Sequence, residues 1–503
     1  MKKKIIQLSL SAIPIAFHLS AQQPGQLDST FNSDGIVTTD YSGLSQEARS
    51  VCIQPDSKIV VAGVTFNGAN QDFIICRYNS DGSLDSAFGT NGKVRTDQYQ
   101  WELGCSVAID SSGNIVAAGL GGYIPTGAAV AKYKSDGTLD SSFSSNGIET
   151  ILIGIDCYSM VVQPDEKILL AGGFHLGNTK NFGLIRLNPD GDFDASFGGG
   201  GTVYADYYGN DDVARAVILQ EDGKIIVAGS TAGSGLIVRF NSNGTIDTTF
   251  DGGMITSTPS VYSLAIQTDG KIIAAGRVGS NLDFAAQRFL PDGSIDVSFG
   301  INGLASFDIS DTTDQCTSIA LQQDNKIILA GYVWDGTHQN IGVIRLNTDG
   351  SLDASFGADG KIIFDISGVN DYCQAAAVQS DGKIILAGGT FSQPPYEDIL
   401  VMRLISGLNV GELFLSKSED ACSLFPNPTT QSTSLDFTLN SPARVGIDVF
   451  DVVGNKVKQV LYENLQTGKH HIIIDVHELK DGLYLLRLSE GDITKSHKLV
   501  VMN

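Results

Sequence analysis

Five carboxylates, Asp211, Asp212, Asp311, Asp314 and Asp371, fall in the longer polar segments of this 503-residue chain. Two carboxylates about 5 Å apart, or about 6.5–9.5 Å apart, can cleave a glycosidic bond, one as acid and the other as nucleophile or base. Here they carry little information, because Asp and Glu number 56 against 33 Lys and Arg. The same kind of segment holds Trp101, Tyr207, Tyr208, Trp334 and Tyr396, whose faces would stack on sugar rings or peptide side chains. The competing reading of these aromatics is packing beneath long loops. The sequence has no GxSxG elbow, HExxH helix or phosphate loop. His470, His471 and His497 are sparse and lack acidic companions at metal-ligand spacing, so no catalytic residue and no metal ligand is assigned.

What positions these residues is a repeat. LDSTF (27–31), LDSAF (84–88), LDSSF (139–143), FDASF (193–197), IDTTF (246–250), IDVSF (295–299) and LDASF (352–356) place successive Asp residues 57, 55, 54, 53, 49 and 57 positions apart. A period of this size marks stacked or circular repeats. Each period also carries a run such as VILQEDGKIIVAG (217–229), two β-rich stretches joined by an Asp/Gly turn, which reads as a hairpin. A third strand follows (FIICRYN, 73–79), and a fourth lies beyond the LDxxF turn (GKVRTD, 92–97). Four-stranded units arranged radially are propeller blades. The seventh unit ends after its third strand, at 399–404, while the chain opens with an orphan fourth strand near 36–39. The spacing therefore predicts an all-β, seven-bladed β-propeller closed by the N-terminal strand.

In six units a basic residue precedes the turn Asp by eight positions: Arg77 and Asp85, Lys132 and Asp140, Arg186 and Asp194, Arg239 and Asp247, Arg288 and Asp296, Arg345 and Asp353. Arg403 would reach Asp28 across the closure. The pair reads as a charge-assisted structural clamp. The Phe three residues after each Asp (Phe31, Phe88, Phe143, Phe197, Phe250, Phe299, Phe356) is expected to plug the space between blades. NSDGSLD (79–85) also offers oxygens at alternate positions, as a calcium loop does, but it lacks the bidentate Glu and full acidic series of an EF-hand. The structural reading is preferred, and no cofactor is expected beyond that calcium alternative.

Residues 1–21 combine Lys2, Lys3 and Lys4 with a short apolar run and small residues before Gln22, the pattern of a cleavable secretory signal. No other segment is long and apolar enough to span a bilayer. Loss of the signal moves the formal charge from −23 to −26, nearly all of it in the propeller, which argues against a nucleic-acid partner. The seven Cys are an odd number for a secreted chain. Cys157, Cys316 and Cys373 share one repeat position, Cys52 and Cys76 form the best-placed disulfide candidate, and buried free thiols are the default. The organisation expected is a signal at 1–21, the propeller at 22–404, a linker at 405–422 and a small C-terminal β-sandwich at 423–503.

Residues 424–503 resemble the C-terminal sorting domain of the type IX secretion system of Bacteroidetes, through FPNP (425–428), DVVGNKV (451–457), ELKDGLYLLRL (478–488) and HKLVVMN (497–503). The resemblance implies that Pro426, Asn427, Pro428 and Lys498 belong to the sorting signal. It also implies that the type IX machinery is a partner, and that the protein is released or attached at the cell surface, commonly after tail removal. Residues 25–404 resemble delta-60 repeat proteins by their RxNxDGxLDxxFGxxG and QxDGKIIxAG signatures, with mild departures at KYKSDG and RFNSNG. These resemblances imply fold and destination but name no ligand.

In an up-and-down blade the first and third turns share one face, and here they are uniform. The other face carries loops that vary, among them DQYQWELG (97–104), YADYYGNDD (204–212), GYVWDGTHQN (331–340) and GTFSQPPYED (389–398). Variable loops on a rigid scaffold are where binding concentrates. The expected function is a secreted or surface-displayed monomeric binding module for glycan or protein. The alternatives are an extracellular propeller glycosidase or lyase using loop carboxylates, and a structural surface-layer protein.

Overall fold

A computed structural model describes residues 23–407 and 423–501, apart from 42, 43, 67, 69, 98–101, 122–126, 178, 311, 367, 394, 395, 426–428, 430, 440, 441, 451–455, 481, 491 and 492. The chain divides into two compact units at Gly407/Leu408. The first unit contains seven four-stranded antiparallel sheets, and no helix occurs among the described residues. Blade four is typical, with strands Asp212–Leu219, Ile225–Thr231, Ser234–Phe240 and Met254–Ser257. Its second and third strands are apolar and buried on both faces because a neighbouring blade covers each side. The first strands neighbour one another around a ring in which the seventh returns to the first, so they are the inner strands.

The N-terminal strand Ile36–Thr39 completes the seventh sheet by pairing with Tyr396–Leu404, in the register Ile36↔Met402 to Thr39↔Ile399. The two ends of the ring then close one turn jointly: Gly25 N donates to Ile405 O at 2.7 Å and Ile405 N to Gln26 O at 2.8 Å. The apolar cores lie between blades, one at each of the seven junctions, and each contains one of the seven repeated Phe residues with 0% exposure.

The repeated basic residue joins the blades. Arg239 Nε donates to Asp247 Oδ2 at 2.8 Å, its guanidinium lies 4.4 Å from the Phe250 ring centre, and Nη1 donates to the Pro291 carbonyl of the next blade at 2.6 Å. The same three contacts recur at Arg77, Arg186, Arg288 and Arg345. They recur again at Arg403, which takes Asp28 from the other end of the chain and the Ser80 carbonyl of blade one. The Lys of each DGK-type turn, such as Lys224, approaches the same carboxylate at 3.1 Å. Burial raises the Asp247 carboxyl, yet its bonds to Thr249, Lys224 and Arg239 outweigh that and hold it well below the usual carboxylate range. Blade two differs from expectation: Lys132 Nζ pairs with Asp110 Oδ2 at 3.0 Å rather than with Asp140. Asp110 stands where the other blades have Gln and Asn114 where they have Lys, so the nearer, otherwise uncompensated carboxylate captures the ammonium.

The second unit holds a three-stranded sheet (Ser423–Phe425, Ser432–Leu439, Gly468–Asp475) and a four-stranded sheet (Lys456–Leu465, Ala443–Phe450, Gly482–Glu490, Ile493–Val501). Alternating residues of both, including Leu435, Phe437, Val445, Ile447, Leu486 and Leu499, share one core. Pro426, Asn427 and Pro428 lie outside the described residues, and so does the side chain of Lys498, whose backbone pairs with Leu485.

Removing residues 22–40 takes away Asp28, Phe31 and the closing strand. The expected outcome is a lower melting temperature and self-association through the opened edge at Tyr396–Leu404, read by thermal unfolding and size-exclusion chromatography. Unchanged melting of a monodisperse protein would contradict closure by this strand.

Candidate functional site

Every inner strand breaks register once, between Ala48/Ser50, Gly104/Ser106, Cys157/Ser159, Ala214/Ala216, Val261/Ser263, Cys316/Ser318 and Cys373/Ala375. Such a bulge leaves one residue unpaired and re-aims its side chain. The Gly of each repeated Ala-Gly makes room for it: a Cβ on Gly229 would lie 1.9 Å from Val213 O, and the same approach occurs at Gly63, Gly172, Gly276, Gly331 and Gly388. The bulged residues are Arg49, Cys105, Tyr158, Arg215, Tyr262, Thr317 and Gln374, so a position framed by uniform neighbours varies from blade to blade. All of them except Cys105, whose side chain lies outside the description, line one cavity of about 250 Å³ on the ring axis. Beneath them, serines tie adjacent blades, as where Ser50 Oγ accepts Val107 N–H at 3.1 Å and Ser318 Oγ accepts Ala376 N–H at 3.0 Å.

One side of this channel is cationic. The Arg215 guanidinium lies 5.5 Å from the Tyr158 ring centre and 4.9 Å from that of Tyr262, its neighbours on either side. Arg277, at the loop end of a second strand, lies 5.3 Å from the same Tyr262 ring. Its Nη1 donates to Gln315 Oε1 at 2.8 Å, an oxygen that also accepts the Tyr332 hydroxyl at 3.0 Å. Arg215 Nε is buried without a hydrogen-bond partner. Among the described arginines of the propeller, all but Arg215 and Arg277 have a carboxylate within ion-pair distance.

The junction of blades seven and one is rich in carboxyl groups. Glu47 accepts Arg49 Nε at 2.7 Å and the Tyr372 hydroxyl at 2.6 Å. In blade seven Gly389 occupies the position of Arg277 and Tyr332, and a Cβ there would meet Glu397 Oε1 at 2.1 Å and the Tyr372 hydroxyl at 2.8 Å. The Glu397 carboxyl fills that slot. Burial, reinforced by the charge of Glu47, pushes it up to about 8. In blade three, Asp156 accepts His175 Nε2 at 2.9 Å and Lys180 Nζ at 2.8 Å; burial raises this carboxyl, but those two partners outweigh it and hold it low.

The comparisons agree with this architecture. The model of the domain of unknown function (DUF5122) beta-propeller matches residues 54–88, 111–143, 163–197, 220–250, 267–299 and 322–356, and that of the secretion system C-terminal sorting domain matches 423–502. The chain carries DUF5122 β-propeller repeats and a secretion system C-terminal sorting domain. No curated protein matches the sequence. Among solved structures, virginiamycin B lyase from Staphylococcus aureus is similar at 11% identity and a TM-score of 0.41, over 74% of this chain and 99% of that one. A polysaccharide lyase of family PL25, an ulvan lyase, is similar at 12% and 0.42, over 73% and 95%. A gluconolactonase from Xanthomonas campestris is similar at 10% and 0.34, over 76% and 95%. Likenesses this distant transfer no chemistry to particular residues. The sorting domain marks the DUF5122 propeller as a secreted, cell-surface or extracellular protein.

The residues expected from the sequence are scattered over this propeller. Trp101 and Asp311 lie outside the described residues. Tyr208 is 87% exposed, Tyr396 is exposed, and Trp334 is half-buried at the end of its strand. Tyr207 packs on the core between blades three and four and touches Tyr208 edge-on at 4.6 Å, the only ring contact among the described members of this set. Asp212, Asp314 and Asp371 do not converge on the channel mouth. Each is fully buried and accepts a loop N–H at 2.7 Å, from Tyr207, Ile309 and Ile366, which makes them loop anchors. Asp211 accepts Lys180 N–H at 2.9 Å. Asp81 of the NSDG turn is engaged by the Ser83 backbone and hydroxyl. Among the described residues one carboxylate trio, Asp283, Asp308 and Asp314, brings oxygens within 4.8 Å of one another, although both Asp314 oxygens already accept hydrogen bonds. Cys52 and Cys76 are free rather than bridged, and Cys157, Cys316 and Cys373 are buried thiols.

Because Glu397 is raised above its unfolded value, its protonated form favours the fold only while the proton stays on. That contribution is complete below the ordinary carboxylate range and lost as pH rises through about 8. Glu397→Gln should therefore leave melting unchanged near pH 4 and raise it relative to the native protein at pH 8. Equal effects at both pH values would contradict this environment.

Proposed function

We propose that the exported propeller is a binding module whose ligand, a glycan or a protein with glycan the leading class, enters the central channel from the variable-loop face. The reading rests on one observation: the bulge position holds Arg, Cys, Tyr, Arg, Tyr, Thr and Gln in successive blades, all but the Cys lining the channel, while the flanking repeat hardly changes. A residue needed only to hold the ring would follow the seven-fold repeat, as the clamp and the Phe plugs do. A single asymmetric ligand demands differing groups around the axis, and the register Glu47↔Val64 places this end of the inner strands beside the variable loops.

Catalysis is the second reading, favoured by a specific group. Glu397, beside Tyr372 and Glu47, keeps its proton near neutral pH, as a general acid must. Cleavage of a bound glycan that stops in Glu397→Gln while binding persists would select it over the binding module.

The test is a glycan array probed with the full secreted chain. A specific ligand is expected, with Gln374→Ala weakening it by about 1–3 kcal/mol and Ser83→Ala, on the uniform face, leaving it unchanged. No binding to any glycan, or binding indifferent to every channel substitution, would overturn the glycan reading. Deleting residues 423–503 should leave the propeller inside the cell envelope of the producing bacterium, and normal display of the truncated protein would contradict the role given to the tail.

A further inference from the structure

We propose, building on the channel-binding reading, that the ligand presents an acidic sugar residue whose carboxylate or sulfate ester is gripped by Arg215, with the uncompensated charge of Arg277 beside the Tyr262 ring adding to the attraction. In a chain of formal charge −23, an arginine without a carboxylate partner is an exception. The two exceptions among the described propeller arginines flank a single ring, Tyr262. Arg215 is held between two tyrosine faces, so its fork is oriented before any ligand arrives, and its buried Nε has no hydrogen-bond partner. Arg215 lines the cavity, and an external oxyanion there would accept charge-assisted hydrogen bonds that no protein carboxylate takes. Arg277 is steadied by a neutral carboxamide, that of Gln315, which leaves its positive charge uncompensated.

On the opposite side Glu47 is already taken by Arg49 and Tyr372. The net charge of the cationic side is therefore available to a ligand. Guanidinium forks match carboxylate and sulfate geometry through paired N–H donors.

The surroundings favour a sugar over an acidic peptide side chain. Gln374 and Tyr262 line the same cavity, and polyhydroxylated rings use such neutral donors and acceptors. An Asp or Glu side chain would instead bring methylene groups against a cavity surface that is mostly polar, although Val, Leu, Ile and Ala residues line it too. A volume of about 250 Å³ admits one residue of a chain rather than a long segment.

Calorimetry on the full secreted chain decides it, with D-glucuronate, glucose 6-sulfate, glucose and N-acetylglutamate as probes. Binding of glucuronate or glucose 6-sulfate without binding of glucose is expected, and which of the two binds identifies the anion. Arg215→Ala and Arg277→Gln should each weaken that binding roughly tenfold or more, with melting near the native value and Ser83→Ala binding normally. Should Arg215→Ala fail to fold, Arg277→Gln alone carries the test. Equal binding of N-acetylglutamate and the sugar acids would overturn the assignment to a sugar. Absence of anion binding, or binding untouched by both variants, would overturn the inference. In either case a neutral glycan captured on the array would leave the glycan-binding reading standing, whereas a blank array as well would overturn that reading together with the inference.

Discussion

In six of the seven blades one guanidinium bonds in two directions, to the Asp of its own turn and to a backbone carbonyl of the next blade, while resting on a buried Phe. A buried charge is tolerated only when fully paired, and here each aspartate is met by an arginine, a turn lysine and a backbone N–H. The apolar cores lie at the junctions rather than inside the sheets, so this polar contact sets the register in which two apolar faces meet. Its carboxylates sit below the ordinary range, so their contribution is complete above about pH 4 and is lost as the medium acidifies through their lowered values. The turn sequence cannot drift without breaking all of these contacts at once, which is why one turn is written so many times.

The constraint on the outer repeat leaves freedom at one place. The Ala-Gly of each second strand lets the inner strand bulge, and the bulged side chain lines the axial cavity, where its type differs from blade to blade. Selection for assembly and selection for ligand therefore act on different columns of the same repeat. Arg215 and Arg277 on one side and the Glu47 and Glu397 carboxyls on the other could diverge without disturbing the clamp or the Phe plugs.

Blade number, closure and the plugging Phe residues were readable because each rests on a residue type at a fixed interval. Lys132 was misread for the same reason. Interval alone pairs it with Asp140, and only a comparison of Asp110 and Asn114 with their counterparts reveals the exchanged partner. The loop acids Asp212, Asp314 and Asp371 looked available for chemistry, yet a buried aspartate holding a loop and an exposed one at a site are the same letter. The channel residues were missed although their signal was present, as an irregular column inside a regular motif. A bulge shifts the alternation by one residue, so the strand pattern alone gives no hint that Arg215 or Tyr262 faces the axis.

The clamp is tested most directly by Arg239→Lys, which keeps the charge but loses the fork that spans Asp247 and the Pro291 carbonyl. Blade two supplies the matching control, since Lys132 works there beside Asp110, the counterpart of Gln220. Chemical unfolding should show Arg239→Lys destabilised by about 1–3 kcal/mol, with part of that loss recovered in the Arg239→Lys, Gln220→Asp double variant. A single variant as stable as the native protein would contradict an inter-blade role for the guanidinium.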